Sequence, residues 1–439
     1  MATAKGLIVA APRSGSGKTV ITLGLLRALR DTGIRVAAAK AGPDYIDSTY
    51  LSAACGGACR NLDPWAMRPE TLAGEIDALA RDAELVICEG VMGLFDGASR
   101  KSAGSTADLA ALTGWPVVLV VDAEGQSASI AALVEGFARH RSDVMIAGII
   151  LNRVASERHA AILRDALAAS AVAVPSLGAM PRSDGLALPS RHLGLVPAGE
   201  RADIESFVAG AAAQARRHLD SRALLALARP SRPAASRASQ IIAPLGRRVA
   251  VARDDAFVFA YPATLASWRD AGSELSFFSP LADESPEPGC DAVYVPGGYP
   301  ELFAGRLGGN RRFLDGLRAA AARRAVIYGE CGGYMVLGRT LTDAAGTMHE
   351  MAGLLPVATS FAERKLHLGY RQVTLAADTA LGSKGTAFRG HEFHYASIIT
   401  EGGGAPLFTA ADADGHPLGA SGRVAGTVSG SFVHLIDRA

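Results

Sequence analysis

Two stretches of the chain hold the residue types that reactions need. The first is Leu7-Ile-Val-Ala-Ala-Pro-Arg-Ser-Gly-Ser-Gly-Lys-Thr-Val-Ile, a strand, a glycine-rich turn and a helix start. Gly15, Ser16 and Gly17 bring backbone N–H groups around phosphate oxygens, Lys18 reaches the terminal phosphates, and the Thr19 hydroxyl suits Mg²⁺. Pro12 stands where a phosphate-binding loop usually has its first glycine, so the flanking strand and helix carry the assignment against an ordinary surface turn. The second stretch, Ala325-Val-Ile-Tyr-Gly-Glu-Cys-Gly-Gly-Tyr-Met, reads as a strand, a sharp turn at Cys331 and a helix. A thiol on such a turn is expected exposed at the sheet's edge, its thiolate stabilised by the helix N-terminus, as a nucleophile requires. A small buried thiol beside packing glycines is the competing reading.

Other reactive groups fall into place around these two. Lys40-Ala-Gly-Pro-Asp-Tyr-Ile-Asp47 follows the second strand and Cys88-Glu-Gly-Val-Met-Gly-Leu-Phe-Asp96 the third. Asp44 and Glu89 either hold Mg²⁺, directly or through water, or cap a turn or helix. Asp47 orders the magnesium shell or a substrate carboxylate, with a capping role equally open for it and for Asp96. Lys40 adds positive charge near phosphates or substrate, and Asp122 orients nucleotide or protein groups; a cap or salt bridge is the alternative for both. Asn152 and Arg153 read adenine, line the nucleotide pocket or shape a turn. In the second half, the backbone N–H groups of Gly298 and Gly332 are the oxyanion-hole candidates. His434, expected to end a strand in Gly430-Ser-Phe-Val-His-Leu-Ile, is the favoured base, with His391 and His394 as competitors. Cys55 and Cys59 lack a second pair of soft ligands at zinc-like spacing, so no metal is assigned to them.

The elements that position these groups show in the apolar pattern. Leu7–Ala10, Val36–Ala39, Leu85–Cys88, Val117–Val121, Met145–Leu151 and Val172–Val174 read as strands, and Thr19–Arg30, Pro69–Arg81 and Ile130–Arg141 as helices. Alternation of this kind makes an α/β fold, a mostly parallel sheet with ligand sites beyond its carboxyl ends. Residues 226–245, rich in Ala, Ser, Arg and Pro, are expected to link a first domain, 1–225, to a second, 246–439. The second α/β pattern runs through strands Val249–Ala252, Glu274–Phe278, Asp291–Val295 and Ala325–Tyr328, with helices Phe257–Ala271 and Arg311–Ala322.

Composition narrows the function classes. In 439 residues, Gly 49 and Pro 21 without a period of three exclude collagen, and 49% hydrophobic against 20% charged residues excludes disorder. Forty-four Lys and Arg against 43 Asp and Glu leave +1, no field to steer nucleic acid or an anionic membrane. Without a signal-peptide pattern, a spanning apolar run or a cysteine framework, a soluble cytoplasmic protein is expected, with no nucleic-acid or membrane partner.

The ordered blocks Ser14-Gly-Ser-Gly-Lys-Thr19, Lys40-Ala-Gly-Pro-Asp-Tyr-Ile-Asp47, Glu89-Gly-Val-Met-Gly-Leu-Phe-Asp96, Pro296-Gly-Gly-Tyr-Pro-Glu301, Gly329-Glu-Cys-Gly-Gly-Tyr-Met335, Gly390-His-Glu-Phe-His-Tyr395 and His434 resemble the cobyrinate a,c-diamide synthase family. The resemblance covers nearly the whole chain. It implies a dethiobiotin-synthetase-like P-loop domain joined to a class I glutamine-amidotransferase-like domain, with ATP and Mg²⁺ as cofactors. It further implies that Cys331 attacks the side-chain amide of glutamine while His434 assists the proton transfers. Where an ordinary glutaminase triad has a Glu two positions past the histidine, this chain has Ile436, so a Cys-His dyad is expected, as in the cobyrinate-type branch.

By the same resemblance, ammonia reaches a substrate carboxylate activated as an acyl phosphate, with Lys18 and Mg²⁺ stabilising the transferred phosphoryl group. The acceptors it implies are the a- and c-acetates of a corrin-ring acid: hydrogenobyrinic acid first, with cobyrinic acid and a nickel-bearing sirohydrochlorin as alternatives. Lys40, Tyr45, Asp47 and Gly90, in the glycine-rich turn after Glu89, are its substrate-side candidates. A homodimer is the oligomer considered. Cobyrate synthase and a P-loop regulatory or binding protein are the competing classes.

Overall fold

Runs of β-branched residues flanked by alanine- and leucine-rich segments set the frame of the first half. The computed structural model describes residues 4–81, 83–100, 103–188, 190–191, 194–232 and 241–439. The chain divides into two units, Met1–Trp65 with Pro69–Ala238 and Ala66–Arg68 with Ser239–Ala439.

The first unit contains β1 (Lys5–Ala10), α1 (Lys18–Asp31), β2 (Val36–Ala41), α2 (Ile46–Cys55), β3 (Arg60–Leu62), α3 (Pro69–Ala80), β4 (Leu85–Glu89), α4 (Thr106–Thr113), β5 (Val117–Asp122), α5 (Ile130–His140), β6 (Ile146–Val154), α6 (Glu157–Ala168) and β7 (Ser176–Pro181). The short β8 (Ser190–Arg191) and β9 (Gly194–Leu195), then α7 (Ile204–His218), α8 (Ser221–Leu227) and β10 (Arg229–Pro230) complete it. Its main sheet runs β3-β2-β4-β1-β5-β6-β7, all parallel, with β10 antiparallel on β1. β5 is buried along its whole length, as a central parallel strand with both faces covered must be. The order brings the ends of β2, β4, β1 and β5 side by side, and every phosphate- or metal-site candidate of the first half except Asn152 and Arg153 lies at or just beyond the carboxyl end of one of these four strands.

The second unit contains β11 (Arg248–Ala252), α9 (Pro262–Asp270), β12 (Glu274–Phe278), β13 (Ala292–Val295), α10 (Ala304–Gly309), α11 (Arg311–Ala322), β14 (Val326–Glu330) and α12 (Gly332–Leu337). Strands then follow in succession: β15 (Thr340–Thr342), β16 (Met348–Glu350), β17 (Val357–Ser360), β18 (His367–Leu375), β19 (Ala387–His394), β20 (Ser397–Glu401), β21 (Ala405–Ala411), β22 (Pro417–Ala425), β23 (Val428–Ser431) and β24 (His434–Arg438). Ten strands of this unit form one sheet, β12-β11-β13-β14-β23-β22-β21-β18-β19-β24, parallel from β12 to β23 and antiparallel beyond. Alternate side chains of β11, β13 and β14 enter two separate cores, Val293, Val295 and Ile327 in one and Ala292, Tyr294 and Tyr328 in the other.

Several expected elements differ. The strand expected at Val172–Val174 lies at Ser176–Pro181, because 171–174 is partly exposed and Pro175 intervenes. The helix expected from Phe257 begins only at Pro262, the position where a proline without N–H fits a first helical turn. His434 opens its strand rather than ending one. Of the linker expected over 226–245, residues 233–240 lie outside the described residues, while Arg229–Pro230 pairs with β1 and Ile241, Ile242 and Leu245 are buried in the second unit's core.

Candidate active site

In the first unit the turn between β1 and α1 closes on itself. Gly15 and Gly17 have φ of 78° and 89°, which glycine adopts without strain. Asn152, at the end of β6, donates from Nδ2 to the Ser16 carbonyl at 2.8 Å, and a Cβ on Gly17 would fall 2.2 Å from that nitrogen. Lys18 is buried and donates to the Met92 carbonyl at 2.7 Å; Met92 itself sits at φ 47° in the turn after β4. Burial lowers the Lys18 ammonium, against the pull of Glu89.

Beside it lies a knot of buried charge. The Thr19 hydroxyl donates to Glu89 Oε1 at 2.7 Å, and the same oxygen accepts from Lys40 Nζ at 3.0 Å. Lys40 also donates to Asp47 Oδ2 at 2.5 Å. Burial disfavours its charge, but Asp47, Glu89 and Asp44 together hold the ammonium well above its ordinary pKa. Burial pushes the Glu89 carboxyl upward, with the Lys40 ammonium opposing it. Asp44 Oδ1 accepts the N–H groups of Ile46 and Asp47 at 2.8 and 2.9 Å, fastening the start of α2, and burial, followed by the nearby Asp47, raises its carboxyl to about 7. Glu89 Oε2 is buried and has no hydrogen-bond partner among the described residues. An orphaned carboxylate oxygen beside a phosphate loop and the Thr19 hydroxyl suits a hard cation such as Mg²⁺.

In the second unit Cys331 is the hinge between β14 and α12, with φ 48° and ψ −104°, a strained conformation typical of a nucleophile on a strand-to-helix turn. Its N–H donates to the Ser431 carbonyl at 2.8 Å. Gly297 lies against both Cys331 and His434: a Cβ there would lie 2.3 Å from His434 Cε1 and 3.3 Å from Cys331 Cβ. Gly298 and Gly332 also approach closely, since a Cβ on Gly332 would fall 3.1 Å from the Gly298 nitrogen. The second and third histidines differ in place. His391 stacks on His434, ring centroids 4.9 Å apart, whereas His394 stacks on Phe432 and meets the Ala396 carbonyl through Nδ1 at 2.9 Å.

The chain's first half, residues 7–196, matches the CobQ/CobB/MinD/ParA nucleotide binding domain, and residues 248–438 match the CobB/CobQ-like glutamine amidotransferase domain. Over 99% of its length the chain is 56% identical to a protein of Brucella anthropi named hydrogenobyrinate a,c-diamide synthase, covering 98% of that relative. Proteins of the same name from Rhizobium meliloti and Mesorhizobium japonicum are 53% and 50% identical, over 98% and 100% of this chain and 99% of each relative. The chain belongs to the hydrogenobyrinate a,c-diamide synthase family. A P-loop nucleotide-binding domain and a glutamine-amidotransferase domain are thus joined in one α/β chain, and no helix among its described residues is long and apolar enough to cross a membrane.

Within this family setting, one expectation about the thiol is corrected. Cys331 is 1% exposed, not open at the sheet's edge. Burial, with Glu301 adding to it, pushes the thiol far above its ordinary pKa, and the Gly332 N–H at the head of the six-residue α12 does not reverse this. Burial likewise drives His434 well below its usual value, with His391 and His394 adding to the effect, so the resting pair is a neutral thiol and a neutral imidazole.

The structure brings Gly15, Ser16, Gly17, Lys18, Thr19, Lys40, Asp44, Asp47, Glu89 and Asn152 into one connected region. Gly90 joins it through its carbonyl, 3.4 Å from Lys40 Nζ, and Tyr45 is buried just ahead of α2. Arg153 turns instead to Asp122, 2.6 Å away, which also accepts from Arg13 at 3.1 Å. Asp96 caps its own turn by accepting the Gly93 N–H at 2.8 Å. Cys55 and Cys59 are free and buried. Two features were missed: Met92 as the Lys18 partner, which no residue type announces, and Glu330, whose place beside Cys331 was in plain view but whose bonds to Tyr294 and Leu435 are long-range.

Proposed function

We propose that this chain converts the a- and c-acetate carboxylates of hydrogenobyrinic acid to amides, using ATP and glutamine. A single observation carries the acceptor: near full-length identity of 50 to 56% with relatives named for that reaction. In the second unit the Cys331 sulfur attacks the side-chain carbonyl carbon of glutamine. His434 takes the thiol proton as the C–S bond forms and returns it to the departing nitrogen, so ammonia leaves and a thioester remains. Because the resting thiol is neutral, this proton transfer accompanies attack rather than preceding it. The N–H groups of Gly298 and Gly332 stabilise the oxygen charge, and water then cleaves the thioester to glutamate and free thiol.

In the first unit an acceptor carboxylate oxygen takes the γ-phosphoryl group of ATP, releasing ADP and leaving an acyl phosphate. Ammonia attacks its carbonyl carbon, phosphate departs, and the amide is complete after loss of a proton. Gly15, Ser16 and Gly17 cradle the phosphates, Lys18 neutralises charge on the transferred group, and Asn152 braces the loop. Arg153, paired with Asp122, lines the nucleotide side. Thr19, Glu89 and Asp44 would hold Mg²⁺, which when bound supplies positive charge at the phosphates. Lys40, Tyr45, Asp47 and Gly90 face the acceptor.

Incubating the protein with ATP, Mg²⁺, glutamine and either hydrogenobyrinic or cobyrinic acid, and following product mass, tests the reading. The expected result is two successive amidations, faster with the cobalt-free acid. A faster rate with cobyrinic acid reassigns the acceptor, more than two amidations point to the cobyrate-synthase reaction, and no mass change with either acid rejects the assignment.

A further inference from the structure

Glu330 immediately precedes the nucleophile and is buried at 3% exposure. A buried carboxylate is costly unless donors surround it, and three do. The Tyr294 hydroxyl donates to Oε2 at 2.7 Å, the Tyr328 hydroxyl to Oε1 at 3.1 Å, and the Leu435 backbone N–H also to Oε1 at 3.2 Å. The two tyrosines are themselves fixed, directly opposite each other on β13 and β14 with rings stacked 6.1 Å apart. The carboxyl group therefore has one place to be.

The Leu435 N–H belongs to the peptide that joins it to His434. Four residues upstream, the Ser431 carbonyl accepts the N–H of Cys331 at 2.8 Å. The dipeptide Glu330–Cys331 thus grips the segment 431–435 at both ends, and His434 lies between the grips. β24 pairs with β19, not with β14, so the Glu330 bond ties the strand of the imidazole directly to the strand of the thiol.

We propose that Glu330 is a positioning residue for glutamine hydrolysis, holding the His434–Leu435 peptide and through it the imidazole at the Cys331 thiol. The inference rests on the Cys331–His434 assignment proposed above. Glu330 touches neither substrate nor reacting atoms in this role; it replaces, by a main-chain hold from the nucleophile's own strand, the fixing that a carboxylate two residues beyond the histidine gives in an ordinary triad. Misplacing a reacting group by an ångström lowers rates steeply, whereas glutamine binding does not depend on this contact.

The test compares Glu330→Gln, which keeps an acceptor oxygen for Leu435, with Glu330→Leu, which removes it at similar volume. A third variant, Glu330→Leu with Tyr294→Phe and Tyr328→Phe, also removes the hydroxyls that Leu would orphan and keeps the test open if the single variant does not fold. Glutamine hydrolysis by Glu330→Leu, or by the triple variant, is expected to lose roughly 10- to 100-fold in kcat with KM for glutamine changed less than about three-fold, and Glu330→Gln to restore kcat to within about three-fold of the parent. In a His434→Ala background, the Glu330→Leu change is expected to cost no more than about two-fold further, because it acts through that imidazole. Parental kcat in a folded Leu variant, or an equal loss repeated without His434, overturns the inference while leaving the dyad intact. Parental glutaminase in His434→Ala alone instead removes the dyad reading on which it stands.

Discussion

Gly297 lies so close to His434 that a Cβ on it would fall 2.3 Å from the imidazole Cε1. The backbone after β13 therefore forms one wall of the imidazole's slot, and only a residue without a side chain leaves the ring where it is. Gly297→Ala is expected to lower glutamine hydrolysis by roughly 100-fold through displacement of the imidazole, at a cost of about 1–3 kcal/mol in stability from overpacking. Steady-state glutaminase assays with thermal melts check both numbers. Parental turnover in the alanine variant would mean that His434 is not the group that moves the proton.

The division of labour between the two units gives a sharper contrast. Cys331→Ala removes the sulfur that attacks glutamine but leaves the phosphate loop untouched, so glutamine-driven amidation should vanish while ammonia-driven amidation persists. Lys18→Ala should depress both by about 100-fold or more, since activation of the acceptor carboxylate is common to the two nitrogen sources. Product mass with glutamine and with ammonium salt, at saturating ATP, reads the pattern. Equal loss of both activities in folded Cys331→Ala sinks the divided-site assignment.

These two variants also mark what a sequence shows and what it hides. The phosphate loop was legible because its groups are neighbours in the chain, Gly15 to Thr19, between an apolar strand and a helix. α11 was readable to its ends because its buried Phe313, Leu314, Leu317 and Ala320 recur at helical spacing. The β15–β24 region was not: strands such as β20 and β22 are largely exposed and carry little alternation, and their partners are set by non-local pairing. Bonds that finish each site span long separations, 136 residues from Asn152 to Ser16 and 105 from Leu435 to Glu330. Burial misled in a different way, since a strand-to-helix turn was expected to hold Cys331 open at the sheet's edge, while the small residues beside it let neighbouring backbone close over it: a Cβ on Gly333 would fall 1.9 Å from the Val295 carbonyl.

Asn152 tests one of those distant bonds. Its Nδ2 is the brace on the Ser16 carbonyl, so Asn152→Ala should free the loop without removing any phosphate donor. A lost hydrogen bond of this kind is worth about 1 kcal/mol, which predicts a rise of roughly five-fold in KM for ATP with kcat for ammonia-driven amidation changed less than about two-fold. A large fall in kcat with unchanged KM would instead assign Asn152 to the transfer step.

Glu330 carries a pH signature. Burial raises its carboxyl from 4.5 to about 7, with the tyrosine and Leu435 donors limiting the rise. Between those two values the folded protein keeps a proton that the unfolded chain has released, so the folded state binds more protons and stability falls as pH rises through the window. The contribution is complete below about pH 4.5 and lost above about pH 7, worth at most about 3 kcal/mol by linkage. Glu330→Gln does not titrate, and its stability should lack this decline. Measured by denaturant unfolding at pH 5, 6, 7 and 8, the variant should gain on the parent as pH rises, most steeply between pH 5 and 7. A stability difference that stays constant across that range would show that Glu330 is already ionised at pH 5, with its three donors outweighing burial.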